Sequence, residues 1–439
     1  MTSPRSSERI LLAIRCRSWL LQPLSSSWCV LGWLFATVVF VGMATLLGGP
    51  VDNDASVSVY PAWALAHGSL ACAFAPAQFS YPSPAPLYPL LSGALVALFR
   101  IGHNVAFPPL NLLGPHCSTA IAAMYRWSFH ASALTPTLRM GYVGWLVVLA
   151  GLVALLRVSG RGRQRWEPLA VLMAASAPPL YMCLLEYFHP QDLVAFGLAL
   201  AGLACVLTGR WTWAGFLLGL AVTCHQFTLL VLVPLLVVAP RRELSRLFGA
   251  AVATVLVVAV PLIMLTSGRA FTSVAVGTGA LPDVNTVLDQ MPIHGSVLVT
   301  LSRFLPIAIS ALISWWAARR LGSLVLDPVP MVSLVATSLA LRLVFEVNLW
   351  GYYFMAVSIA LIALDVIRGR IRVTFVVWLA VVSVISMRGG LTDYPANRAV
   401  PVWLWQLVLV PSAVALASGP LVSLVRDRER HKQLLIDTL

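Results

Sequence analysis

Charge is scarce in this 439-residue chain. Asp, Glu, Lys and Arg make up 10% of it and hydrophobic residues 59%, for a mean hydropathy of +0.87. A water-soluble core of this length could not hide so much apolar surface, which excludes a soluble globular protein and leaves a polytopic membrane protein. Acidic residues are the scarcer kind, 16 against 29 basic ones, and Lys432 is the only lysine. The net charge of +13 has no soluble basic domain to carry it, so it reports topology and contact with anionic headgroups rather than nucleic-acid binding. The seven cysteines and eight histidines contain no CxxC or HxxxH spacing, so a metal site built by the protein is not expected. No Rossmann fingerprint or P-loop occurs either, which argues against direct use of a nucleotide sugar or ATP.

What is present is a series of apolar runs of helix-spanning length between short connectors rich in Arg, Pro and Gly. Barrel strands would be shorter and alternating, and open strand edges cannot face lipid, so the runs are predicted to be helices. The first, 28–48, follows Arg5, Arg9, Arg15 and Arg17 and is too long for a signal-peptide core, so it reads as an uncleaved signal anchor with a cytoplasmic N-terminus. The next predicted crossings are 140–156, 168–187 and 193–208. The run 212–239 has arginines at both ends and is split at His225-Gln226 into two short or tilted helices. Further crossings are expected at 248–266, 297–318, 330–345, 349–367, 373–387 and 400–425. The fold class is thus all-α integral membrane, with about twelve transmembrane helices in one domain over 1–439. Both termini are then cytoplasmic, and most arginines lie on that side. The tail 426–439, which contains "RDRERHKQ", is expected to grip the cytoplasmic headgroups.

In that topology the polar chemistry gathers outside. Asp52 and Asp54 open a large external segment, 49–137, whose apolar stretch 87–99 is read as a helix lying on the outer surface. A second external segment, 267–296, carries Asp283, Asp289 and His294. External turns add Glu186, His189, Gln191 and Asp192 at one place and Glu346 with Asn348 at another. Cys72 and Cys117 lie in external segments, where an oxidising compartment would permit a bridge, and the other cysteines read as small buried hydrophobes.

The first helix with its acidic turn, followed by "VYPAWALAHGSL" and "FSYPSPAPLYPLLSG", resembles the first external loop of GT-C membrane glycosyltransferases. The likeness is greatest to the actinobacterial mannosyltransferase-like branch that uses polyprenyl-phosphate sugars. The stretch "GRWTWAGFLLGLAVTCHQFTLLVLVPLLVV" is similar to that family's "aG-x-x-x-GLa" helix, polar break and following apolar helix, although His225-Gln226 stand where many relatives have Lys.

The resemblance implies transfer of a sugar, mannose favoured, from a polyprenyl-phosphate donor to a glycolipid or polysaccharide acceptor at the outer face of the plasma membrane. No bound cofactor is implied, and a divalent cation is left open. A hydroxyl nucleophile needs a base, for which Asp54 is the first choice and Asp52 the second; the bland alternative is that both only hydrate a helix end. His189, Gln191 and Asp192 are candidates for binding donor or acceptor, against the alternative that Gln191 or Asp192 is a helix cap. His225 is either a ligand contact or a satisfied core histidine. Arg342 either pairs with Glu346 four residues on or reaches the lipid phosphate, with Tyr352 and Tyr353 lining the same cavity and Arg303 a competing phosphate ligand. Outside this class, a lipid-linked sugar flippase or transporter would also set charges among twelve spans, though no two-half repeat is visible. A non-catalytic partner in envelope assembly would need a docking domain that the short tail does not offer.

Overall fold

The computed structural model describes residues 139–160, 163–186, 189–265, 296–346, 349, 351–369, 371–386 and 402–437, with Leu65 and Leu91 as single helical positions. Asp52, Asp54, Cys72, Cys117, Asp283, Asp289, His294, Asn348, the expected first helix 28–48 and nearly all of the segment 49–137 lie outside the described residues. Every described element is helical. Among the described residues, five helices are long and apolar enough to cross a membrane, or six if one bent pair counts as a span.

The first described helix, α1 (Arg139–Val158), is closed at its end by Arg157, whose Nε lies 3.0 Å from Glu167 in α2 (Arg163–Ala175). The single crossing expected over 168–187 is instead broken. Helix α2 stops before Pro178-Pro179, the chain bends by 51°, and one turn (Pro178–Tyr181) passes into a π-helical turn (Met182–Glu186). Paired prolines lack amide protons and clash with the preceding turn, so a straight helix cannot run through them. Helix α3 (Pro190–Leu207) begins three residues earlier than expected, because Pro190 is preset for the first helical position. It ends in a Schellman motif, with Arg210 N–H donating to Cys205 O and Gly209 (φ 73°) donating to Val206 O.

The split at His225-Gln226 is present. Helix α4 (Trp211–Cys224) stops there, a 3₁₀ turn (Gln226–Thr228) follows, and α5 (Leu229–Val238) leads away. Helix α6 (Arg241–Leu265) starts two turns before the expected 248, because Pro240 supplies its first carbonyl acceptors and Glu243 suits its positive N-terminal end. The remaining helices are α7 (Ser296–Leu321), α8 (Pro328–Val344), α9 (Phe354–Ile367), α10 (Val373–Ser386) and α11 (Val402–Asp437). Helix α11 runs beyond the expected 425, so the basic tail continues the last helix.

Close glycine contacts fix the helix directions. A Cβ on Gly151 would fall 2.3 Å from Gly197 O, and one on Gly144 2.9 Å from Pro190 O, so α1 and α3 run parallel with backbones nearly touching. A Cβ on Gly215 would meet Leu247 O at 2.3 Å, and one on Gly219 would meet Ala251 O at 2.7 Å, so α4 and α6 are also parallel. Helix α5 between them must therefore run back, and the pair α4–α5 makes the even number of passages that the flanking arginines require. Helix α11 is antiparallel to α8, since Gln406 Nε2 donates to Leu343 O and Ser333 Oγ to Ala417 O.

With directions alternating, Arg157, Arg210, Arg241, Arg242, Arg319, Arg320, Arg368 and Arg372 gather at one end of the bundle. There Arg372 Nε pairs with Asp365 at 2.7 Å and its Nη1 donates to Leu416 O, while Arg320 pairs with Glu429 and accepts at its carbonyl from Arg428. The outward sides of α6 and α7, with Val257, Met264, Phe304 and Leu312 exposed, are apolar as a lipid-facing surface must be.

Candidate functional site

The opposite end of the bundle collects the start of α3, the break between α4 and α5, the end of α8 and the 3₁₀ turn Gly351–Tyr353 before α9. His189 is the N-cap of α3, but its side chain caps nothing. Gln191 and Asp192 lie inside the first turn, so neither is the cap that the sequence allowed. The π-helical turn holds His189 in place, because His189 N–H donates to Cys183 O at 2.6 Å and the Cys183 thiol donates to His189 O at 3.2 Å.

His225 ends α4 in an extended conformation and turns its ring over the following residues. Its Nδ1 accepts from Phe227 N–H at 3.3 Å, and a nitrogen that accepts carries no proton, so the proton belongs on Nε2. That Nε2 lies 3.3 Å from Asp192 Oδ1, within ion-pair distance but outside hydrogen-bond geometry. Thus the capping role and the contact with Asp192 use different ring nitrogens. Of the two readings for His225, the capping bond to Phe227 is that of a satisfied histidine at a helix break.

Arg342 occupies the last turn of α8, which ends at Val344. Its Nε lies 3.1 Å from Glu346 Oε2 just past the helix end, the two side chains being 16% and 23% exposed. The ion pair expected from their spacing is therefore present without a helix reaching Glu346. The guanidinium also lies over two rings, with Cζ 5.1 Å from the centre of Phe227 and 4.6 Å from that of Tyr353. Tyr353 meets Tyr352 edge-on at 4.6 Å, Tyr352 stacks on His189 at 4.5 Å, and Gln191 Nε2 lies 2.8 Å from His189 Nδ1. Phe227 returns to His225 at 5.1 Å.

These contacts close into a ring: Asp192, His225, Phe227, Arg342, Tyr353, Tyr352, His189 and Gln191, which precedes Asp192 in the chain. Of the residues singled out as substrate-binding in the sequence, His189, Gln191, Asp192, His225, Arg342, Tyr352 and Tyr353 come together here. Arg303 sits partly buried on α7, a separate element. The catalytic candidates Asp54 and Asp52 lie outside the described residues. Among the described residues no group of three or more His, Cys, Asp or Glu is arranged to hold a metal ion.

Two members of the neighbourhood escape sequence reasoning. Phe227 reads as one more apolar residue in an apolar run, although an aromatic two residues beyond a polar helix break is the signal that could have found it. Gln406 Nε2 reaches the carbonyls of Leu343 and Val344 at 2.8 and 3.4 Å and satisfies the end of α8 that presents Arg342. A lone amide in "VWLWQLVLV" signals such a partner, because an intramembrane polar group needs one.

Residues 129–345 match the family model of glycosyltransferase family 87. The match covers slightly under half of the chain, from before α1 to just past α8, and takes in every ring residue except Tyr352 and Tyr353. No curated protein and no solved structure matches the chain. The match supports a membrane glycosyltransferase, for which a sugar donor and an acceptor are the substrates.

Proposed function

We propose that the chain transfers a sugar, mannose favoured, from a polyprenyl-phosphate donor to a glycolipid or polysaccharide acceptor at the outer face of the plasma membrane. The observation that carries this reading is the closed ring of polar and aromatic side chains at the end of the bundle away from the arginines, largely inside the stretch that matches glycosyltransferase family 87. Arginine-rich ends face the cytoplasm in membrane proteins, which supports an outward ring, cytoplasmic termini and a cytoplasmic tail.

In this reading the acceptor hydroxyl attacks the anomeric carbon, the bond from that carbon to the phosphate oxygen breaks with inversion, and the polyprenyl phosphate leaves with the bonding pair. The hydroxyl proton passes to Asp54, or to Asp52. The departing phosphate needs cationic stabilisation, for which Arg342 and Arg303 are the candidates. Aromatic rings and short polar side chains of the kind assembled here hold a sugar by its apolar faces and its hydroxyls.

The test is transfer from radiolabelled polyprenyl-phosphate mannose in membranes containing wild type, Asp52→Asn or Asp54→Asn at matched expression. A labelled lipid or polysaccharide product from wild type, lost in one variant, supports transfer and selects the base. Absence of product with this and other polyprenyl-phosphate sugars, over a range of acceptor extracts, sinks the proposal.

A further inference from the structure

Gln191 and Asp192 are the most buried polar residues of the ring, at 6% and 4% exposure. Each keeps one oxygen, Gln191 Oε1 and Asp192 Oδ1, that receives no hydrogen bond although it is shut off from water. An orphaned buried acceptor costs about 1–3 kcal/mol, so two in adjacent residues, in a chain otherwise sparing of polar groups, call for an occupant.

The chemistry of that occupant follows from what is missing. Both orphans are acceptors, and one belongs to a carboxylate, so a phosphate would be repelled and only a donor fits. The amide of Gln191 is already engaged with His189 and the Nε2 of His225 stands off the line of the Asp192 oxygen, so neither supplies the missing proton. Among the described residues no group of three or more His, Cys, Asp or Glu is arranged to hold a metal ion, so the two oxygens do not belong to a metal cluster of that kind. A hydroxyl-bearing sugar satisfies both oxygens, and the ring of His189, itself stacked on Tyr352, stands beside Gln191. Elsewhere in the ring, over Phe227 and Tyr353, Arg342 supplies the donors that a phosphate needs.

Building on the proposed function, we infer that Gln191 and Asp192 form a sugar-reading subsite: their free oxygens accept from the hydroxyls of a pyranose, and the phosphate, when there is one, is held by Arg342 instead. The sugar can be that of the donor or that of the acceptor, since the hydroxyl chemistry is shared.

The experiment uses the full-length protein in nanodiscs and three probes: polyprenyl-phosphate mannose, bare polyprenyl phosphate, and octyl mannoside, which carries sugar without phosphate. Gln191→Met and Asp192→Leu remove the orphaned oxygens at similar volume, with Gln191→Met deciding alone if Asp192→Leu does not fold. The expected result is a loss of about tenfold or more in affinity for a sugar-bearing probe, with bare polyprenyl phosphate bound as in wild type and melting temperature unchanged or raised. Loss confined to polyprenyl-phosphate mannose assigns the subsite to the donor, and loss confined to octyl mannoside assigns it to the acceptor. Arg342→Gln is expected to weaken both phosphate-bearing probes and spare octyl mannoside. Equal loss of all three probes, or no loss in either variant, overturns the subsite. Failure of wild type to bind any of the three overturns the proposed function itself, and the subsite with it.

Discussion

Arg342 shows how a charge is kept near a membrane. Glu346 takes its Nε, Phe227 and Tyr353 flank the guanidinium, and Gln406 ties down the helix end on which it rides. Removing one partner of such a pair leaves the other charge exposed to a poor environment, whereas removing both does not. Glu346→Ala alone is therefore expected to destabilise the protein by more than Arg342→Met and Glu346→Ala together, with a coupling of about 1–3 kcal/mol in a double-mutant cycle. Melting in detergent of the four proteins checks it. His225 separates its two tasks by ring nitrogen in the same way. Asn can replace the capping Nδ1 but cannot reach where Nε2 lies, so His225→Asn should melt close to wild type while sugar transfer falls sharply. His225→Ala should also lose about 1 kcal/mol of stability with the cap. Equal melting and equal activity in both variants would contradict this division.

Among elements, the glycines decide how closely helices approach. The "AGFLLGLA" run that carries part of the family resemblance turns out to be a packing surface: Gly215 and Gly219 let the backbone of α6 and the Cβ atoms of Ala250 and Thr254 lie directly against α4. Gly215→Val must push the two helices apart and should cost about 1–3 kcal/mol or more. Gly249, in α6 itself, faces open space, so Gly249→Ala should be neutral or stabilising by up to about 1 kcal/mol. The opposite signs of the two melting shifts are the check. Much at this scale is legible in the sequence, because apolar length and flanking arginines report crossings and a polar pair inside an apolar run reports a break. Seven of the eight ring residues are visible as polar or aromatic groups at the expected outer ends of helices. What is not legible depends on neighbours distant in the chain. The bend at Pro178-Pro179 is hidden by the apolar residues on both sides of it, Phe227 acquires its meaning only when α8 brings Arg342 over it, and the mutual fit of Gly151 and Gly197 needs two helices in register.

At the scale of the molecule, the alternation of helix directions gives the bundle one arginine-rich end and one end with the ring. In a cysteine-free background, Gln226→Cys, at the exposed break beside the ring, should react with a membrane-impermeant thiol reagent added to intact cells. Gly369→Cys, among the arginines, should react only after permeabilisation. Reaction of both before permeabilisation, or the reverse order, would overturn the proposed orientation.

The last helix joins these two ends physically. Helix α11 is one uninterrupted element of 36 residues, about 54 Å long, against a hydrocarbon core of about 30 Å. Its first turns hold the terminus of α8 through Gln406, and its last turns are fastened to the end of α7 through Glu429 and Arg428. It acts as a tie rod: a force that shifted the tail along its axis would load the socket of Arg342 directly, so the two faces of the membrane are mechanically in series through one helix.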